Sequence, residues 1–129
     1  MKKDFQKWHK TKSGINDTKG HRFYHEREVW WCSVGLNVGY EMDGKGKDFV
    51  RPILVIKGFS KEVFLCIPLT TKLKQGKYYC DIDLGDGQTR RVILSQIRLI
   101  DAKRLQEKIT MIDIKQFEKI KKAVIAILA

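Results

Sequence analysis

A chain of 129 residues is one domain's worth of sequence, and at this size it buries roughly two thirds of the surface its unfolded form would expose, around a single core. Its 43% hydrophobic and 32% charged residues describe an ordinary globular protein, and no apolar run approaches the roughly 20 residues that cross a bilayer, so the sequence reads as no membrane protein. The net charge of +11, from 26 Lys and Arg against 15 Asp and Glu, points to a polyanionic partner such as nucleic acid, or more plainly to a surface solvated by lysine.

Residues 1–25 are rich in Lys and polar side chains, with Phe5, Trp8, Ile15 and Phe23 as their substantial apolar groups. They read as a basic extension ahead of a domain spanning 26–129. Phe5 and Trp8 are three apart, so 3–12 forms either a short helix laying an aromatic stripe on the domain or a mobile basic arm. The first residues lack the apolar core of a secretory signal, which makes the cytoplasm the expected location. From Glu28 the pattern becomes β. Residues 28–33 form an aromatic-rich strand, and 35–49 a long loop broken by Gly39, Gly44 and Gly46. Residues 50–57 are a continuous apolar run suited to a strand buried on both faces, with Pro52 tolerated near its start. A turn at 58–61 leads into a second buried strand at 62–68, and strands at 77–84 and 89–94 flank the Gly85-Asp86-Gly87 hairpin signal. Short strands at hairpin spacing predict a closed or half-open barrel rather than a doubly wound sheet. The chain closes on an amphipathic helix opening at Asp113, with Ile114, Phe117, Ile120, Lys121, Val124 and Leu128 at helical spacing and Asp113 with Gln116 as a capping box.

Cys32, Cys66 and Cys80 are odd in number and embedded in apolar or β-branched runs, which favours reduced, buried thiols. Several chemistries are absent. Asp43-Gly44-Lys45-Gly46-Lys47 lacks the Gly-Lys-Ser/Thr of a phosphate loop, and His9, His21 and His25 pair with no cysteine or carboxylate at ligand spacing, so no metal site is expected. A serine triad would have to draw its histidine from the N-terminal extension. Arg51 stands out: its forked, permanent charge matches two phosphate oxygens, and Pro52 fixes the backbone that aims it. The alternative is a strand-edge arginine paired to Glu41 or Asp48. Thr70 and Thr71, ahead of Lys72 and Lys74, bring hydroxyls and cations together at a strand end, where they either bind phosphate or merely cap the strand.

Five stretches in fixed order, Arg27-Glu28-Val29-Trp30-Trp31, Val38-Gly39-Tyr40-Glu41, Arg51-Pro52-Ile53-Leu54-Val55-Ile56, Pro68-Leu69-Thr70-Thr71-Lys72 and Ser95-Gln96-Ile97-Arg98-Leu99-Ile100-Asp101, resemble the PemK/MazF family of toxins. The resemblance implies a mainly β SH3-like barrel with a C-terminal helix, usually dimeric. It also implies a ribosome-independent endoribonuclease that cuts single-stranded RNA without metal or cofactor and is silenced by a cognate acidic antitoxin. It assigns catalysis to Arg51 and Thr70, with Tyr40, Glu41, Thr71, Lys72, Ser95 and Gln96 as RNA-binding or assisting residues. Ser95 stands where some relatives carry an acidic residue proposed as general base, and Tyr40 where others carry histidine. Tyr40 could stack a base or lend its phenol, and Glu41 could act as base or orient Arg51. Arg98 and Asp101 are expected to pair structurally at the barrel's closure. The long 35–49 loop suggests an RNA groove that an extended antitoxin segment would occupy in RNA's place. A barrel of this fold that only grips nucleic acid, or poisons DNA gyrase by binding, is the competing reading.

Overall fold

A computed structural model of the chain describes residues 23–34, 50–72 and 74–128. Seven strands and one long helix account for most of them: β1 (Glu28–Ser33), β2 (Val50–Gly58), β3 (Val63–Thr70), β4 (Tyr79–Ile82), β5 (Arg90–Ile93), β6 (Arg98–Asp101), β7 (Leu105–Met111) and α1 (Ile114–Leu128). Single 3₁₀ turns at Leu94–Gln96 and Ala102–Arg104 flank β6. All pairings are antiparallel, in the order β4-β5-β3-β2-β1-β7, and β6 pairs with β3 off this path. Strand β3 is therefore the branch point: Val63–Cys66 bonds to β6, while Leu69 and Thr70 bond to β5. Among the described residues the path ends at β4 and β7 without joining them, so the barrel is half-open.

The apolar run of β2 buries both faces, and each face feeds a different core. Leu54 and Ile56 join Val29, Ile67, Leu69 and Val92 under the helix residues Phe117, Ile120 and Val124. Ile53 and Val55 join Trp30, Cys32, Phe64, Cys66, Ile100 and Leu105 on the other side. The register shifts between Val55 and Lys57 in β2, and at two points along β1 and β7, the kind of irregularity that bends and twists a strand locally.

The two strands around the Asp86 turn are shorter than the sequence predicts. Gly85 and Gly87 take φ of +82° and +80°, and the Asp83 and Asp86 carboxylates accept from the Gly85 and Gln88 N–H groups at 2.8 and 3.1 Å, which makes a wider turn than a two-residue hairpin. Helix α1 starts where its capping residues place it, but half of the expected box is redirected. Asp113 Oδ1 accepts from Gln116 Nε2 at 2.8 Å, while Gln116 bridges to the backbone of Asp83 through both amide atoms, at 2.8 and 3.0 Å. Ile114 and Leu128 are exposed rather than core-facing. The 15-residue helix, about 22 Å long, overruns the four-residue strand β4 against which it packs.

Ordered packing begins before Glu26. The Tyr24 ring lies 4.7 Å from that of Phe64, and its hydroxyl reaches the Ser60 and Val63 carbonyls where β2 turns into β3. Gly58 makes this possible, since a Cβ there would sit 2.9 Å from Tyr24 Cε2 and Oη. Gly58→Ala should evict the ring and lower stability by about 1–3 kcal/mol, read as a fall in the urea midpoint at unchanged slope.

Candidate active site

Strands β2 and β3 deliver the two residues singled out for phosphate chemistry to one edge of the barrel. Arg51 is the second residue of β2, and Thr70 the last of β3. The register pairs Ile53 with Pro68, so two residues further along Arg51 falls opposite Thr70. Strand alternation puts both on the face of Ile53 and Cys66, at the open end of the second core. Each is only 7% exposed, which is unusual for an arginine and positions the pair as part of the wall rather than as surface groups. Thr70 Oγ1 accepts from the Lys72 N–H at 3.1 Å. That bond fixes the hydroxyl oxygen while leaving it its own proton.

Two wells meet at Arg51. The smaller, about 170 Å³, lies between Arg51, Ser95, Gln96, Arg98 and the apolar side chains of Val34, Ile53 and Ile97. The larger, about 520 Å³, is bounded by Arg51, Thr70, Thr71, Trp31, Pro52, Gln88 and Arg90. Of the residues expected at a site, Arg51, Thr70, Thr71, Ser95 and Gln96 are thus brought together. Lys72 lines neither well, and it meets Thr70 through its backbone. Tyr40 and Glu41, with Asp48, lie outside the described residues. Trp31, Gln88, Arg90 and Arg98 were not expected. For the first, the sequence shows only two adjacent tryptophans in an aromatic-rich strand, and the structure shows that Trp31 is the exposed one.

Positive charge concentrates around the small well. Burial, and then the like charge of Arg98, push the Arg104 guanidinium below its ordinary value, and Arg104 Nη1 donates to the Ser33 carbonyl at 3.5 Å. Arg98 belongs to this cluster, and the Asp101 carboxylate caps the following 3₁₀ turn by accepting from the Lys103 N–H at 2.9 Å. Cys32 and Cys66 are buried beside it. Burial pushes the Cys32 thiol up to about 12 against the opposing pull of Arg104 and Arg98, and raises Cys66 well above the usual range, so neither is a nucleophile at neutral pH. Cys80 is only half-buried. The wells carry guanidinium, amide, hydroxyl and indole groups, but no carboxylate or histidine among the described residues that line them. The arrangement can hold an anion and stabilise charge developing on it. No group of three or more His, Cys, Asp or Glu at metal-binding distance occurs among the described residues. Nor is any described helix long and apolar enough to cross a membrane.

Comparison with known proteins places this geometry. The family of PemK-like, MazF-like toxins of type II toxin-antitoxin systems matches residues 25–128. No curated protein matches the chain. Among solved structures, MazF from Deinococcus radiodurans superposes with a TM-score of 0.66 at 16% identity, covering 83% of this chain and 97% of that one. An endoribonuclease in complex with its cognate antitoxin from a Mycobacterial species gives 0.61 at 16% identity over 81% and 94%. The Mycobacterium tuberculosis toxin MazF-mt6 gives 0.59 at 16% identity over 76% and 92%. At such identities the likeness speaks for the fold, a mainly β half-barrel with a C-terminal helix. The sequence match over four fifths of the chain speaks for descent, and the protein belongs to the PemK-like, MazF-like toxin family of type II toxin-antitoxin systems.

Proposed function

We propose that the chain is an endoribonuclease toxin that cuts single-stranded RNA at selected sequences without a metal ion, using the RNA's own 2′-hydroxyl as nucleophile. The observation that carries this reading is the buried pair Arg51 and Thr70 on adjacent strands, opening onto wells with +11 net charge behind them. The 2′-oxygen attacks the adjacent phosphorus, the P–O5′ bond breaks, and the products are a 2′,3′-cyclic phosphate and a 5′-hydroxyl. Arg51 holds two phosphoryl oxygens and offsets the extra negative charge of the pentacoordinate state, which is the work a metal would otherwise do. Thr70 donates to the same phosphate or passes a proton. The lining residues offer no carboxylate to take the 2′-proton, so Tyr40 and Glu41 in the segment between β1 and β2 are the candidates for that role.

The partner implied by family membership is an antitoxin. We infer an acidic one whose extended segment occupies the RNA wells and competes for the same cations, with the toxin acting as a homodimer.

The test is cleavage of a labelled single-stranded RNA pool by purified protein in excess EDTA. Activity should persist at its metal-replete rate and leave 3′ ends that resist ligation until the cyclic phosphate is opened and the remaining phosphate removed. Activity lost on chelation and restored by magnesium would replace this mechanism with a metal-assisted one. RNA binding without any cleavage would favour a toxin that acts by binding.

A further inference from the structure

The larger well differs in kind from the smaller one. Its lining sets the apolar side chains of Trp31, Val50, Pro52 and Leu69 beside a polar rim of Thr71, Gln88 and Arg90. Trp31 is 39% exposed, the most open side chain of β1, and pairs across to Pro52 in β2. On the rim Arg90 is not a swinging surface group. Nη1 donates to Asp86 Oδ1 at 2.8 Å and Nη2 to Gln88 Oε1 at 3.0 Å, so the guanidinium and the carboxamide lie locked edge to edge in the β4–β5 turn. A guanidinium only donates, so the amide atom it meets is the oxygen, and the Gln88 NH₂ is left facing away from Arg90. The rim therefore presents donors. An indole platform beside a donor edge, next to a phosphate-binding pair, is the chemistry that takes an unstacked nucleobase.

We propose that this well binds one base of the RNA strand flanking the scissile phosphate, stacked on Trp31, with Gln88 and Arg90 selecting guanine or uracil, which carry a carbonyl, O6 or O4, where adenine and cytosine carry an amino group. Adenine would set its amino donor against the donors of the rim. The inference rests on the endoribonuclease reading and supplies its base preference. Continuity with the catalytic pair is direct, because Arg51 and Thr70 form the border of the same well.

Two measurements test it, one independent of cleavage. Binding to a fluorescein-labelled, mixed-sequence single-stranded DNA, which has no 2′-hydroxyl, should weaken about tenfold in Trp31→Ala and stay within about threefold in Trp31→Phe. Sequencing of cut sites in a random single-stranded RNA pool should show guanine or uracil enriched at one position beside the cut, and Gln88→Ala should flatten that position about tenfold while leaving the others unchanged. Gln88 is exposed, so this variant folds whatever becomes of Trp31→Ala. Cleavage intact with binding indifferent to Trp31 and preference indifferent to Gln88 overturns the base well and leaves the nuclease standing. Trp31-dependent binding with no cleavage overturns the nuclease and leaves a stacking well. An effect of Trp31→Ala confined to antitoxin binding assigns the well to the protein partner and overturns the inference.

Discussion

Arg51→Ala should lower RNA cleavage by a hundredfold or more at equal folded concentration, with the loss in kcat rather than in KM. The reasoning is one of where charge appears. In the ground state the phosphodiester carries one negative charge that any basic surface attracts, and a chain of net charge +11 has such surface in abundance. In the pentacoordinate state a second charge develops on the non-bridging oxygens, and only a donor already aimed at them gains from it. Arg51 lies in the wall at 7% exposure, on the regular strand β2 just before Pro52, so little reorganisation is required when that charge forms. Removing one such donor costs about 2.7–4 kcal/mol in comparable charge-stabilising sites, which is the hundredfold to thousandfold stated. Arg51→Lys should recover only part of the rate, because an ammonium is a point charge and cannot engage two oxygens as a fork. Thr70→Ala should act in the same direction with a smaller loss, and Thr70→Ser should restore most of it. Circular dichroism and the urea midpoint separate these effects from unfolding. Near-wild-type cleavage by a folded Arg51→Ala protein would remove the central element of the mechanism.

The elements that the sequence announces are those whose pattern is set locally. Residues 50–57 read as a doubly buried strand because every side chain from Ile53 to Ile56 is apolar, and Asp113 with Gln116 marks the start of α1 to the residue. Strands β6 and β7 were not legible. β6 has four residues between two 3₁₀ turns, and β7 buries only Leu105 completely, so Gln106, Glu107 and Lys108 carry no period-2 signal. Both exist because β3 and β1 offer edges to bond, which is information held in other parts of the chain.

The site shows the same division. Arg51 and Thr70 could be named from short motifs, yet their meeting depends on the β2–β3 register, which pairing rather than composition sets. Trp31, Gln88 and Arg90 come from β1 and the β4–β5 turn, nearly 60 positions apart, and are gathered by the order β5-β3-β2-β1. Arg98 and Asp101, three apart in the sequence, are expected from it to pair structurally at the barrel's closure. On a strand that spacing places them on opposite faces, where Asp101 turns to the Lys103 N–H and Arg98 to the small well.

Glu28→Ala should cost the fold about 3 kcal/mol while leaving both wells untouched. Glu28 is the one carboxylate buried among the described residues, at 2% exposure in the first position of β1. Oε1 accepts from the His25 N–H at 2.7 Å and from the Trp30 indole at 3.0 Å, and Oε2 from Lys108 Nζ at 3.3 Å in β7. The carboxylate thus ties the entry of the domain, the second core and the edge strand to one point. Lys108 is half exposed and its ion pair contributes under about 1 kcal/mol, so Lys108→Ala should be mild. The larger cost of losing Glu28 is the buried indole and backbone N–H left without their acceptor, about 1–3 kcal/mol each. Glu28→Gln keeps an acceptor oxygen and should cost about 1 kcal/mol. The pH dependence has a definite sign. Burial works to raise the Glu28 carboxyl, but the bonds from Trp30, His25 and Lys108 overcome it and hold the folded value below the ordinary 4.5. The unfolded chain then binds the proton first, so the stabilisation is fully present above about pH 4.5 and fades as pH falls through the lower folded value. Urea midpoints of wild type and Glu28→Gln should differ by a constant amount from pH 8 to pH 5 and converge in acid. A gap that stays constant into acid, or widens there, would mean the carboxylate is not the charged acceptor that this geometry requires.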